Sequence, residues 1–319
     1  MKIVMLTNLK SGRGKAAQRS DHLERLLNER GHGVGVFSVS ELKSDERGTV
    51  FDFIKDAHRV VVVGGDGSVH HQLADLSALE TPMYHLGTGT ANLICKEFGM
   101  SRSPDKALVQ LEMEIEPTRV DVPTANGLPF LIMVSLGIDA SVIHRFQDFR
   151  AIQSGAGGGY MAYRKPVFQE LFSPRPANYQ VDYETESGAE SFAGRGMLVV
   201  SNMHSYGGKF NPNPQARCDD GVLDAVSIPC SSSISCAYSF AFLKLGLNRQ
   251  CFKRAVSNKF VIGSTGDASR VQVDGEKGLC IEGLADGILR QDQEIVVEIG
   301  KQSLLIHSPR VGRNSRKAR

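Results

Sequence analysis

The sequence predicts an α/β protein of two domains, an N-terminal domain with a parallel sheet and a C-terminal β-rich domain. Apolar, strand-like runs alternate with amphipathic helical stretches up to residue 113, which is typical of a parallel sheet covered by helices. Beyond residue 117 the chain consists mainly of short β-like runs separated by turn residues. We therefore expect one domain over residues 1–117 and a second over residues 118–319, whose C-terminal segment is a candidate to return to the first domain.

The N-terminal part contains four predicted strands and five predicted helices. Leu23, Leu26 and Leu27 lie on one face of the first helix, which Gly31 ends. The third strand is almost wholly apolar, as expected of a central parallel strand. A proline opens the last helix after Ser103, which predicts a serine N-cap. The strands are expected at residues 2–7, 34–39, 59–63 and 83–86, and the helices at 14–30, 47–57, 69–79, 91–98 and 104–113.

The C-terminal part contains nine β-like runs and two helical interruptions. The runs are expected at residues 120–122, 130–134, 180–183, 197–201, 222–228, 259–262, 270–273, 294–299 and 303–307, and the helices at 160–172 and 235–247. Residues 154–159 are rich in glycine and predict a loop. The last ten residues carry only basic charge, which is typical of a solvated chain end.

The composition excludes several classes of protein. Of the 319 residues, 41% are hydrophobic and 23% are charged, which excludes a disordered or collagen-like chain. A net charge of +2 gives no reason to expect nucleic acid as a partner. The six cysteines contain no CxxC pair, so we expect unpaired cysteines in a cytoplasmic protein. The longest uncharged stretch, residues 225–243, contains a proline and several serines and is a poor candidate for a membrane span.

The strongest motif is GGDGS at residues 64–68, directly between a predicted strand and a predicted helix. Its glycines let the backbone turn sharply and approach a ligand, and the helix start supplies N–H groups suited to phosphate. Asp66 could hold a metal ion or a hydroxyl group. The alternative is a β-hairpin turn at Asp-Gly, which the spacing of Val69, Leu73 and Leu76 on one helix face disfavours.

A second loop, NLKSGRGK at residues 8–15, lies between the first predicted strand and helix. It offers amide, hydroxyl and cationic groups, among them Lys15, which could neutralise phosphate charge. It does not fit a Walker loop, because Leu9 stands where the first glycine is required. It half fits a dinucleotide fingerprint at Gly12 and Gly14, which is weak evidence.

A third loop, GTGTAN at residues 87–92, follows the fourth predicted strand and precedes another helix. The carboxyl ends of parallel strands meet at one edge of a sheet, and ligands bind there. One such loop could be structural. Three of them together predict a phosphate-rich ligand.

These three loops, in this order and spacing, resemble the diacylglycerol kinase catalytic family, which includes bacterial diacylglycerol kinases, sphingosine and ceramide kinases and related bacterial lipid kinases. The resemblance extends over nearly the whole chain. Its later motifs are VDV at residues 120–122, SLGIDA at 135–140, SN at 201–202, YGG at 206–208, CDDGVLD at 218–224 and VDGE at 273–276. The chain departs from the family pattern at Leu9, Ser68 and Leu93, where many members have proline, threonine and aspartate.

The resemblance implies an NAD kinase/diacylglycerol kinase-like α/β nucleotide-binding domain and a C-terminal β-sandwich that binds lipid. The family pattern and the three loops together give as nucleotide-binding residues Asn8, Ser11, Gly12, Gly14, Lys15, Ser40, Gly64, Gly65, Asp66, Gly67, Ser68, Gly89, Thr90 and Asn92. By the same resemblance, Asp220 and the backbone carbonyls of Arg217 and Val222 would bind Mg²⁺. Glu276 or Asp274 would be the proton acceptor, and the longer side chain favours Glu276.

The expected activity is transfer of the γ-phosphate of ATP to a lipid hydroxyl, with diacylglycerol as the default acceptor and phosphatidic acid as the product. Phosphoryl transfer needs held phosphates, Mg²⁺ and a carboxylate to accept the hydroxyl proton. The alternatives are a sphingoid-base or ceramide kinase, an NAD kinase-like enzyme with a soluble substrate, and a non-catalytic lipid- or nucleotide-binding protein. We expect a cytoplasmic enzyme that meets its lipid at the inner membrane face, and a homodimer is left open.

Overall fold

The computed structural model describes residues 1–39, 44–152, 164–207, 211–245, 252–278 and 280–310. The chain forms two compact units. Unit 1 is Met1–Val120 together with the chain from Ser303 onward, and unit 2 is Asp121–Gln302. Unit 1 contains a parallel sheet and unit 2 antiparallel strands, so the predicted α/β fold class is confirmed. The functions expected of residues 1–117 and 118–319 stay predictions.

Unit 1 is built on parallel strands in the order β4-β3-β1-β2. Its strands are β1 (Lys2–Thr7), β2 (Gly33–Ser38), β3 (Arg59–Gly64) and β4 (Met83–Gly87). Its helices are α1 (Lys15–Glu29), α2 (Ser44–Lys55), α3 (Asp66–His70), α4 (Leu73–Leu76), α5 (Leu93–Phe98) and α6 (Pro104–Leu111). The end of a long strand, β16 (Glu294–Ile306), extends the sheet by parallel pairing of Ile306 with Met83. Four consecutive buried valines in β3 show that both faces of this sheet are covered.

One local expectation for unit 1 is wrong in detail. The helix expected at residues 69–79 is divided into α3 and α4, and α3 already begins at Asp66 inside the glycine motif. Gly65 is extended and acts as the N-cap of α3, so the backbone turns into the helix two residues after β3 ends. The prediction that Ser103 is the N-cap of α6 is confirmed, although its hydroxyl donates to Asp105 rather than accepting from the helix.

Unit 2 consists mainly of antiparallel strands around one hydrophobic core. Its strands before β16 are β5 (Thr118–Ala125), β6 (Leu128–Pro129), β7 (Met133–Leu136), β8 (Ala177–Thr185), β9 (Gly188–Ser201), β10 (Leu223–Pro229), β11 (Lys253–Ser257), β12 (Lys259–Ser264), β13 (Ser269–Val273), β14 (Glu276–Lys277) and β15 (Ile288–Leu289). Hydrogen-bonded neighbours follow the order β14-β13-β7-β9-β8-β12-β16, and β10 pairs with β9 and β11. The core between these strands includes Phe130, Tyr179 and Phe260.

The helices described in unit 2 are α7 (Ile138–Ile152), α8 (Arg164–Phe172) and α9 (Ser233–Lys244). The sequence did not predict α7 or β11, and the two strands expected at residues 294–299 and 303–307 form the single strand β16. The expectation of unpaired cysteines is wrong for Cys230 and Cys236, which form a disulfide. No helix in the described part of the chain has the length and apolar character needed to span a membrane.

Candidate active site

The loops after β1, β3 and β4 meet at the carboxyl edge of the parallel sheet. The Asn8 side-chain amide donates to the Ser68 hydroxyl at 3.2 Å, which joins the first loop to the GGDGS motif. The hydroxyls of Ser11 and Thr88 lie 2.9 Å apart, which joins the first loop to the third. The Thr88 backbone N–H donates to the Gly64 carbonyl at 2.7 Å. The structure therefore brings three separate parts of the sequence into one hydrogen-bonded cluster.

Glycine is required where these loops pass closest to each other. Gly12 has a φ of +62°, and a Cβ added there would lie 2.6 Å from the Thr88 carbonyl oxygen. A Cβ on Gly89 would lie 2.8 Å from the Gly65 Cα. Real Cβ atoms do not approach other atoms this closely, so side chains at these positions would separate the loops. Glycine at positions 12 and 89 therefore allows the three loops to pack directly against each other.

Asp66 and Asn92 hold the third loop in place. The Asp66 carboxylate accepts from the Ile94 backbone N–H at 3.2 Å, near the start of α5. Asn92 has a φ of +47° and is buried, and its side chain bonds both the N–H and the carbonyl of Gly89. Asp66 therefore has a structural partner in addition to any contact with a ligand.

A buried histidine supports the GGDGS motif from below. His85 on β4 is fully buried, and its Nε2 lies 3.0 Å from the Gly64 carbonyl oxygen. Its Nδ1 lies 3.4 Å from the Cys95 sulfur. The sequence analysis gave neither residue a role, because the only signal was a polar residue inside an apolar strand. Nε2 donates to Gly64 and thereby fixes the end of β3.

The remaining expected nucleotide-binding residues of unit 1 are placed as follows. Gly14, with a φ of +80°, is the N-cap of α1, and Lys15 is the exposed first residue of that helix. Gly67 and Thr90 are half-buried within the second and third loops. Ser40 lies outside the described residues. The nucleotide-binding role of all these residues stays a prediction.

The VDGE motif of unit 2 forms a two-residue hairpin turn. Asp274 and Gly275 both have positive φ, and Val273 pairs with Glu276 across the turn. The buried Asp274 carboxylate accepts three backbone N–H groups: Ile132 at 2.7 Å, Leu131 at 2.8 Å and Met133 at 3.0 Å.

Glu276 is half-buried and directs its carboxylate away from that amide cluster. Its Oε2 accepts from the Gln147 side-chain amide of α7 at 2.6 Å. The two acidic residues of the motif therefore have different surroundings. Asp274 is engaged by the backbone, whereas Glu276 has one side-chain donor in the described structure.

A buried aspartate fixes the same turn through a glutamine. The Asp139 carboxylate accepts from Ser135, Tyr206 and Gln272. Gln272 in turn accepts from the Gly275 backbone N–H at 2.7 Å. Burial raises the pKa of the Asp139 carboxyl above its ordinary value, and the three side-chain hydrogen bonds counteract the rise. The sequence analysis quoted this aspartate in the SLGIDA motif but gave it no role.

The CDDGVLD segment forms a tight loop held by Asp121. The Asp121 backbone N–H donates to the Cys218 carbonyl at 2.6 Å, and its carboxylate accepts from the Gly221 N–H at 2.9 Å. Asp220 accepts from the Val222 N–H at 3.4 Å, and its second carboxylate oxygen is buried.

Arg217 forms an ion pair with Asp219 at 2.8 Å in the same loop. The expected metal ligands, Arg217, Asp220 and Val222, therefore share this loop. Within the described ranges, no three acidic, histidine or cysteine side chains cluster as a metal site. Asp121 was missed as a loop-holding residue, although the VDV motif placed an aspartate between two apolar residues.

Two family models match the chain one after the other. The Diacylglycerol kinase catalytic domain matches residues 2–125, and the YegS C-terminal NAD kinase beta sandwich-like domain matches residues 132–290. The second match confirms the predicted C-terminal β-sandwich.

Similar proteins agree with these matches. A diacylglycerol kinase of Mycobacterium tuberculosis is 26% identical over 228 residues, which cover 70% of this chain and 72% of that protein. A "Probable lipid kinase YegS-like" protein of Pseudomonas aeruginosa is 28% identical over 189 residues, covering 58% of this chain and 59% of that protein. A crystal structure of a diacylglycerol kinase from Bacillus anthracis matches with a TM-score of 0.62 at 15% identity, covering 96% of each chain, and supports the fold. The chain therefore belongs to the diacylglycerol kinase catalytic family, whose members are lipid kinases and hence phosphotransferases.

Proposed function

We propose that this enzyme transfers the γ-phosphate of ATP to the free hydroxyl of diacylglycerol and so produces phosphatidic acid. The observation that carries the proposal is the meeting of three glycine loops at the carboxyl edge of the parallel sheet in unit 1. Such an edge is where open α/β sheets bind ligands, and close backbone approach suits phosphate groups. The acceptor is argued from the family match and from the named relatives.

The first loop and the start of α1 would hold the phosphates of ATP. Gly14 has open space where a Cβ would lie, and Lys15 places an exposed cation at the N-terminus of a 15-residue helix. The positive end of the helix dipole and this ammonium both favour negative charge. Asp66 and Ser68 would complete the site from the second loop, and Thr90 from the third.

The loop of residues 217–222 has a donor set that fits Mg²⁺. The Asp220 carboxylate and the carbonyl oxygens of Arg217 and Val222 are oxygen ligands, which hard divalent cations take. Mg²⁺ bound with ATP would also neutralise charge on the transferred phosphate. The other contacts of this loop, from Asp121 and from the Arg217–Asp219 ion pair, hold the fold of unit 2. We therefore assign Asp220, in the same loop, a structural role as well.

Glu276 is the better candidate for the proton acceptor. A general base must present a carboxylate oxygen to the acceptor hydroxyl, and Asp274 already accepts three backbone N–H groups and is buried. Glu276 is more exposed and keeps acceptor capacity beyond its bond from Gln147. The Asp139–Gln272 network would hold the turn that carries it.

The relatives named as YegS-like lipid kinases favour a second acceptor class, a lipid hydroxyl other than that of diacylglycerol. The test is a panel of acceptors offered to the purified chain with radiolabelled ATP and Mg²⁺, with products separated by thin-layer chromatography. The panel contains dispersed diacylglycerol, sphingosine, ceramide, phosphatidylglycerol and soluble NAD⁺. We expect label in phosphatidic acid. Label in another lipid would keep the lipid kinase and change its acceptor, and label in NADP⁺ alone would refute the proposal.

A matched pair of variants ties the activity to the glycine loops. Asp66→Ala should lower turnover by about 10²-fold or more, since it removes a carboxylate that would hold Mg²⁺ beside the phosphates and that accepts from the Ile94 backbone N–H. Asp56→Ala is the control, because that side chain is 80% exposed and its ion pair with the Lys2 ammonium is long, at 3.8 Å. Equal turnover in both variants, with unchanged circular dichroism spectra, would refute the placement of ATP at these loops.

A further inference from the structure

Helix α8 carries large apolar side chains on its exposed side. Phe168 is 60% exposed and Phe172 is 73% exposed. They lie one turn apart, and their ring centroids are 5.2 Å from each other. The opposite side of the helix is fixed by Glu170, which is fully buried and forms an ion pair with Arg145 of α7. The two aromatic rings therefore pack on each other outside the core.

Helix α9 has the same two-sided character. Ile234 is 84% exposed, Tyr238 is 52% exposed, and Leu245 just after the helix is 69% exposed. Their spacing of four and seven residues places them along one helix face. Cys236, Ser239 and Leu243 are buried on the other face.

The exposed faces of α8 and α9 are adjacent, and the buried residues between the two helices hold them together. The Ser233 hydroxyl at the start of α9 donates to the Phe172 carbonyl at the end of α8, at 3.0 Å. Below this contact the paired cysteines 230 and 236 pack with Ile138, and Leu171 and Phe240 cover them. We call Val167, Phe168, Phe172, Ile234, Tyr238 and Leu245 the apolar patch.

The clustering is what distinguishes this surface. Within the described ranges eleven large hydrophobic residues are exposed, and six of them belong to the apolar patch. Singly exposed apolar residues are normal on soluble proteins, whereas a contiguous group marks an interaction surface. The apolar patch therefore needs an occupant.

The charges beside the apolar patch indicate which occupant fits. Lys165, Arg175 and Lys244 are exposed on or next to the two helices. Residues 165–176 and 229–245 contain one acidic residue, the buried and ion-paired Glu170. Exposed aromatic and aliphatic side chains with cations beside them, as in these two ranges, are the composition that binds a negatively charged lipid surface.

We propose that the apolar patch inserts into an anionic lipid membrane and holds unit 2 at the surface that contains the acceptor lipid. This inference rests on the proposed lipid kinase function, which supplies the reason for the enzyme to meet a membrane. Phe172 and Ile234, the two most exposed members, enter the interface. Lys165 and Lys244 contact the phosphates of the headgroups.

The test is co-sedimentation of the full chain with vesicles, in the absence of ATP. Wild type should bind vesicles of mixed phosphatidylcholine and phosphatidylglycerol and should bind pure phosphatidylcholine vesicles more weakly. Replacing two apolar side chains by F172E with I234E should lower the partition coefficient about tenfold or more. The control V109E with M113E makes the same charge change at exposed positions of unit 1 and should bind like wild type.

A second pair of variants keeps the test valid should the glutamate variants unfold. Lys165→Gln with Lys244→Gln leaves the apolar patch intact and should weaken binding to the mixed vesicles about fivefold per lysine. Binding that equals wild type in both pairs would overturn the proposal. Equal binding of the wild type to vesicles with and without anionic lipid would also overturn the proposal. So would a wild-type dimer that forms without vesicles and that F172E with I234E dissociates, because the occupant of the apolar patch is then a second copy of the chain.

The outcome is separable from that of the kinase proposal. Vesicle binding is measured without nucleotide, so patch-dependent binding by a chain that phosphorylates no lipid would refute the kinase and retain the docking surface. Conversely, F172E with I234E should keep turnover on a short-chain, water-dispersed acceptor and lose turnover on vesicles. Equal turnover of this variant and wild type on vesicles would overturn the docking surface and leave the kinase.

Discussion

Asp274→Asn should lower the stability of the protein, whereas Glu276→Gln should lower its turnover. The Asp274 carboxylate accepts two backbone N–H groups at one oxygen and one at the other. In Asp274→Asn an amide NH₂ replaces one oxygen and faces a backbone donor. Losing one charge-assisted hydrogen bond costs about 1.5–3 kcal/mol, and the two remaining bonds lose their ionic character.

We therefore expect Asp274→Asn to lower the free energy of unfolding by about 3 kcal/mol, or the melting temperature by ~6–12 °C. Asparagine tolerates the positive φ of this position, so the backbone adds little to the loss. Glu276→Gln keeps an acceptor for Gln147 and should change stability by less than about 1 kcal/mol. Its turnover should fall by roughly 10²–10⁴ if Glu276 is the proton acceptor.

The assay combines thermal melting, nucleotide titration and turnover on a water-dispersed lipid. Asp292→Asn is the matched control, because Asp292 also has a positive φ but is exposed. Nucleotide affinity should stay near that of wild type in both variants. Wild-type melting with a large loss of turnover in Asp274→Asn would refute this reasoning and make Asp274 the base. Near-normal turnover in Glu276→Gln would remove Glu276 from that role.

Three further predictions concern the first glycine loop, the metal site and pH. Gly12→Ala places a Cβ 2.6 Å from a carbonyl of the third loop and should raise the KM for ATP about tenfold. Gly14→Ala is the control and should have a smaller effect, because the space around its Cβ is open. Equal effects of the two variants on KM would contradict the loop packing. Asp220→Ala should abolish the rise in melting temperature on adding Mg²⁺, and a wild type insensitive to Mg²⁺ would eliminate the site. His144 donates to a backbone carbonyl at 2.8 Å, and burial lowers the pKa of its imidazole. The neutral imidazole therefore stabilises the fold above about pH 6.5, and this stabilisation is lost as the pH falls through the lower pKa of the folded state. His144→Gln should melt with less change between pH 7.5 and pH 5.5 than wild type, and identical pH dependence would show that this histidine does not contribute.

The parallel sheet was predictable because each of its strands and helices has a recognisable pattern in its own local sequence. In α1 the leucine spacing and the glycine after the helix agree, and in β3 four consecutive valines are buried on both faces. Helix α7 was missed because its periodicity is blurred. Ser141 and His144 are polar but buried, whereas Val142 and Ile143 are only half-buried. The hydrogen bond of His144 to a distant strand compensates for its burial, and no local pattern reveals such a partner.

Part of the candidate site was likewise predictable from local sequence, and part was not. Glycine loops after parallel strands indicate where a ligand would bind, because strand order alone brings those loops together. The sequence could not choose between Asp274 and Glu276, since the three amides that engage Asp274 lie more than 140 residues earlier in the chain. The Asp121 contact to the CDDGVLD loop is similarly remote in sequence. Chain-distant hydrogen bonds decide which carboxylates are structural, and they appear only in the folded structure.

Strand β16 gives the synthesis of this enzyme a particular order. Its last residues pair with Met83 of β4, and the His307 side chain contacts the Gln110 carbonyl at 2.8 Å. These residues leave the ribosome only after residues 121–302 have been made, roughly 10–40 s later at about 5–20 residues per second. During that interval β4 is an edge strand of the nascent sheet, and unpaired edges recruit other chains. The sheet of unit 1 is therefore completed only after all of unit 2 has been synthesised, and until then β4 is exposed to pairing with other chains.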